Sequence, residues 1–224
     1  NEQLNKRIAL MKTSALQSLI SSEMYVGPSE IVQRFQCIRK YNQLPNDKGQ
    51  AARDLTEDEI VNGILSVMDT RPGFAGVAVI CIRQLKPVRG INYSYRGAST
   101  FGEAVRLLIQ HPEDLIELRV KGIENDDRGI PSYAHGSRAQ ITYKSNGEEK
   151  VASYVPVNSV SLFNENSEEA INYDPRLFKA PFERDYVLNR KIFQRIHNQL
   201  SQERQYSQLL NQQTAANPTI RAGI

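Results

Sequence analysis

Asn146-Gly147 lies between two runs of alternating polarity, Arg138 to Lys144 and Lys150 to Val155. A tight primed turn needs positive φ at both central residues, and Asn followed by Gly meets that demand with little strain. The dipeptide therefore predicts a β-hairpin and argues against an all-helical chain. Leu115 to Val120 alternates loosely and predicts a strand before the hairpin, and Ser159 to Phe163 suggests another after it. The stretch Glu124 to Ser137, with an Asn, two Asp, two Gly and a Pro, reads as a long exposed loop.

Before His111-Pro112 the apolar residues recur at three and four residues instead of two, the period of a helix. Ile8, Met11, Leu16, Leu19, Ile20 and Met24 predict a first helix from about Asn5 to Met24, broken by Gly27-Pro28. Pro28 suits the first turn of a second helix, reaching about Tyr41, with Ile31, Val32, Phe35 and Ile38 inward. Thr56 and Glu59 form the sequence pattern of a capping box and open a third, with Ile60, Ile64 and Leu65 buried. Thr100 with Glu103 repeats that pattern before a helix from Phe101 to Gln110, with Ala104, Leu107 and Leu108 inward. Between these two, residues 74 to 85 are β-branched and short, yet Phe74, Val77, Ala78, Cys81 and Leu85 fit helical steps, so a helix is expected. A final helix is expected from about Glu183 to Arg204, followed by a polar tail, Gln205 to Ile224, that frays or docks on a neighbour. The reading is α+β: a helical segment 1–110, a β-containing segment 111–182 with a small antiparallel hairpin sheet, and a C-terminal helix with its tail over 183–224.

Several function classes find no support. The longest apolar stretch, Phe74 to Ile82, is nine residues, far short of the roughly 20 that a spanning helix needs. Two cysteines, Cys37 and Cys81, lack the spacing of a disulfide framework or a zinc site, and no secretory signal is visible, so a reducing cytoplasmic setting and no membrane association are expected. No P-loop, nucleophile elbow, dinucleotide fingerprint or zincin motif occurs, and neither a cofactor nor a metal is expected. Glu148-Glu149 beside the hairpin turn suits a solvated role better than acid/base work. Glu124, Asp126 and Asp127 lack the alternation of a calcium loop. His135, in a Gly-flanked loop near Tyr133 and Arg138, is the best single catalytic candidate in a chain read as non-enzymatic.

The total charge, 28 Lys plus Arg against 25 Asp plus Glu, conceals segregation. Residues 1–53 hold eight bases and four acids, whereas 103–127 hold three bases and seven acids. Thr70 to Gly102 contains no acid but has Arg71, Arg83, Lys86, Arg89 and Arg96. Cations neutralise phosphates and aromatic rings stack on bases, so Arg83, Lys86, Arg89, Tyr93, Tyr95 and Arg96 form the leading nucleic-acid candidate, joined by Arg34, Arg39 and Lys40. DNA is favoured, and a bacterial or phage regulator fits such a footprint. A helix-turn-helix built from the second and third helices has the right helix lengths, but its connection is too long, and Glu57, Asp58 and Glu59 would repel phosphate. The competing expectation is an assembly component that forms a homo-oligomer or docks on a protein partner through Leu188, Ile192, Ile196 and Leu200, spaced at four-residue steps, and through its tail.

Overall fold

The computed structural model describes residues 11–46, 52–68, 71–123, 138–156 and 183–216, which form six helices and one five-stranded antiparallel sheet. The chain is α+β, with helices in its first half, strands in the middle and a C-terminal helix.

Helix α1 covers Thr13–Met24 and begins later than the apolar spacing predicts, because Met11 is extended and bridges Leu55, whose N–H donates to the Met11 carbonyl at 2.9 Å. Residues 1–10 lie outside the described residues. Tyr25, at φ 54°, ends α1, and Pro28 opens α2, Pro28–Lys40. The capping box predicted for α3, Glu57–Leu65, is complete: Glu59 N–H donates to Thr56 Oγ1 at 3.2 Å, and Thr56 N–H donates to Glu59 Oε2 at 2.8 Å. Helix α4, Ala75–Arg83, confirms helix over strand, though with a shifted phase. Its buried stripe is Ala75, Ala78, Val79 and Ile82, while Phe74, Val77 and Cys81 lie half-buried on its flank. Before α5, Phe101–Gln110, Thr100 caps as expected, but the Glu103 carboxylate reaches back to the N–H and hydroxyl of Ser99, both at 2.8 Å.

The strands are β1, Lys86–Pro87; β2, Leu115–Ile123; β3, Arg138–Ser145; β4, Glu148–Val155; and β5, Glu183–Leu188, in the order β1-β4-β3-β2-β5. Asn146 and Gly147 turn β3 into β4 at φ 55° and 83°, as their sequence requires. The two-residue β1 lies on the sheet edge, where Pro87 removes no interior ladder bond. It covers only the end of β4, and the rest of that edge is protected by exposed Glu148, Glu149 and Lys150.

Two expectations fail at the C-terminus. Residues 183–188 are not the start of a helix but a strand that pairs along β2, from Glu183 opposite Ile123 to Leu188 opposite Leu118. The helix α6 then runs Arg190–Ala216, so much of the expected tail is helical. The strand proposed at Ser159 to Phe163 and the loop Glu124 to Ser137, with His135 and its acids, lie outside the described residues. One hydrophobic core joins all the described parts: Leu16, Phe35, Ile60 and Phe101 from the helices, Leu118, Ile141 and Tyr154 from the sheet, and Phe193 and Ile196 from α6.

Candidate functional site

The acids that open α3 hold three arginines from three different parts of the chain. Glu57 pairs with Arg204 of α6 at 3.0 Å, Asp58 with Arg83 of α4 at 2.7 Å, and Glu59 with Arg53 at 2.8 Å. Burial pushes the Glu59 carboxyl up, but hydrogen bonds from Arg53 and Thr56 outweigh it and hold the group below its ordinary range. Carboxylates also suit the positive end of the helix dipole. Ile60 to Leu65 are all buried, so α3 has no face free to enter a DNA groove. Arg83 donates in addition to Asn62 Oδ1 at 2.6 Å and is held within the fold.

Three further members of the basic set, Arg34, Tyr95 and Arg96, are similarly engaged. Arg34 is only 3% exposed and donates to Glu30 at 2.6 Å and to the Ser66 carbonyl at 3.0 Å. Tyr95, expected to stack on a base, is fully buried; its hydroxyl donates to Asp114 Oδ2 at 3.1 Å and its ring meets Tyr143 edge-on at 4.9 Å. Burial, and then the Asp114 charge, raise its pKa. Arg96 donates to the same carboxylate at 2.8 Å from a left-handed backbone, φ 48°. These two residues anchor the stretch 88–98 instead of presenting it to a ligand.

Lys86, Arg89, Tyr93, Arg39 and Lys40 remain. The Arg89 guanidinium lies 3.9 Å over the ring of Tyr93, which is half exposed, and it has no carboxylate partner among the described residues. Lys86 reaches toward the Ser99 carbonyl, and its charge helps to depress the Glu103 pKa after the two hydrogen bonds from Ser99. Arg39 Nε donates to the Pro45 carbonyl at 3.0 Å, and Lys40 is exposed. The two groups do not converge. Tyr41, beside Lys40, packs on Gly76 in the first turn of α4, while Lys86 follows that helix's last turn. Nine residues of helix separate these ends by about 13 Å.

The C-terminal stripe is also internal. Leu188, Ile192, Ile196 and Leu200 are at most 4% exposed, so the proposed oligomer contact is part of the core. Polar anchors fix this half of α6: Glu23 of α1 pairs with Arg195 at 2.6 Å and Lys191 at 3.4 Å, and His197 Nδ1 hydrogen-bonds the Ile109 carbonyl at 3.0 Å. Beyond Leu200, by contrast, none of the described side chains of the helix is buried. Tyr206 and Leu209, one turn apart, are 65% and 57% exposed, and Gln205 to Ala216 carries no charge. The sequence places these two residues in a tail that frays or docks on a neighbour, without singling them out; their i, i+3 spacing within a run without charges is the available signal.

Among the described residues no group of three or more His, Cys, Asp or Glu is placed to hold a metal ion, and no helix is long and apolar enough to cross a membrane. Comparison with protein-family models, curated proteins and solved structures finds no match for this sequence.

Proposed function

We propose that this chain is a non-enzymatic assembly component that associates with further copies of itself through the distal half of α6. The observation that carries the reading is the contrast along one helix: the stripe ending at Leu200 is buried, whereas Tyr206 and Leu209 beyond it are exposed. The twelve residues from Gln205 to Ala216 extend about 18 Å. A helix of that length whose described side chains are not buried, and whose uncharged residues form no ion pairs, is marginal on its own, and packing against a partner supports it. Because the segment is uncharged, two copies meet without like-charge repulsion. Sedimentation velocity of the intact chain and of a chain ending at Arg204 tests this. The intact chain is expected to sediment as an oligomer and the shortened one, which keeps the core stripe and the Arg204 to Glu57 pair, as a monomer. Equal numbers of chains per particle would end the reading.

A second reading, binding of DNA or another nucleic acid, is favoured by the Arg89 to Tyr93 stack, which offers a cation and a half-exposed ring together. It rests on Lys86, Arg89 and Tyr93, since Arg34, Arg83, Tyr95 and Arg96 are engaged within the protein. Gel-shift titration with duplex and single strands at two salt concentrations checks it. Retardation that weakens with salt and is lost in Arg89→Ala is expected, and no retardation counts against it.

A further inference from the structure

We infer that the ridge where the end of α2 meets α4 is a docking surface, separate from distal α6, for an acidic amphipathic segment of a protein partner. At its centre the Tyr41 ring lies against the backbone of Gly76: a Cβ there would stand 2.1 Å from the ring carbon Cδ2. Tyr41 is nevertheless 44% exposed. Ile80, one turn further along α4 on the same face, is 45% exposed. The ridge is braced from below. Gln43 Nε2 donates to the Gly76 carbonyl at 3.0 Å, and the Cys37 thiol donates to the Gly73 carbonyl at 3.1 Å while accepting from Gly76 N–H. A braced aromatic beside an aliphatic side chain is the kind of anchor on which interfaces centre, since little side-chain entropy is lost when it is covered.

Charge selects the occupant. α4 lies within the acid-free window, and the last turn of α2 sets Arg39 and Lys40 beside Tyr41 with no carboxylate partner among the described residues. An apolar centre with a cationic rim is complemented by a segment that carries apolar anchors flanked by carboxylates. A nucleic acid offers the charge but no aliphatic group to cover Ile80. The chemistry thus favours an acidic amphipathic peptide, and this surface is independent of self-association through α6.

Fluorescence anisotropy with the intact chain tests the assignment. The probe is a labelled synthetic helical peptide with Leu or Phe at every third or fourth position and Glu elsewhere; its counterpart has Lys in place of Glu. The Glu peptide is expected to bind, more weakly at high salt, and the Lys peptide not to bind. Ile80→Ser and Lys40→Glu, both at exposed positions and checked for an unchanged circular dichroism spectrum, should each weaken binding at least about tenfold. Absence of binding, equal binding of the two peptides, unchanged affinity in both variants, or displacement of the peptide by a single-stranded oligonucleotide would each overturn the proposal.

Discussion

Tyr154 shows how one polar atom can fix an irregular stretch of chain. Its hydroxyl accepts from the buried Tyr95 N–H at 3.0 Å while its ring packs against Phe101 at 5.5 Å. Tyr154→Phe keeps the ring and orphans the N–H, so it should cost about 1–3 kcal/mol in a urea titration. Burial raises the pKa of Tyr154, and burial followed by the Asp114 charge raises that of Tyr95. A raised folded-state value means that the folded protein keeps protons which the unfolded chain releases. Stability present at neutral pH is therefore lost as pH rises past the ordinary tyrosine value of 10.0, and a pH series of melting curves should show the decline. None of this was legible beforehand. Tyr95 stands between Ser94 and Arg96 in a segment with no period, so nothing local marks it as interior; its burial comes from Asp114 and Tyr143, far along the chain.

Elements with their own local chemistry were the most readable. The capping box of α3 and the primed turn at Asn146-Gly147 both formed where the sequence places them, because each depends on residues within three or four positions. Thr56→Ala should cost about 1 kcal/mol by thermal melting, since the Glu59 N–H loses its acceptor. Gly147→Val places a β-branched side chain at φ 83° and should cost about 1–3 kcal/mol. The sequence of β5 reads as helix because Val187 and Leu188 lead without interruption into the helical spacing of Ile192 and Ile196. What makes it a strand is pairing with β2 sixty to seventy residues earlier, which no window of sequence contains. Four-residue spacing correctly marks Ile192, Ile196 and Leu200 as one buried face of α6, although Leu188 belongs to β5, and spacing alone does not distinguish the chain's own core from a partner.

For the whole molecule, part of the segregated charge is internal wiring. Arginines from α4, α6 and the segment before α3 converge on three consecutive acids; Arg83 alone of these comes from the acid-free window, whose Arg96 pairs with Asp114 instead. Acid should loosen this arrangement. Glu59 and Glu103 are both held below the ordinary carboxyl value of 4.5, Glu59 by bonds that overcome its burial and Glu103 by its bonds from Ser99. A depressed folded-state value gives stability that is complete above the unfolded value and is lost as pH falls through the folded one. Melting curves should therefore fall below about pH 4.5, with a shallower fall in the Glu59→Gln, Glu103→Gln variant. The proposed contact between copies is placed on distal α6, where Tyr206 and Leu209 are exposed. Light scattering of the intact chain over a concentration series measures that contact most directly: the account predicts a mass that rises well above 25.4 kDa, whereas a constant 25.4 kDa at every concentration would contradict it.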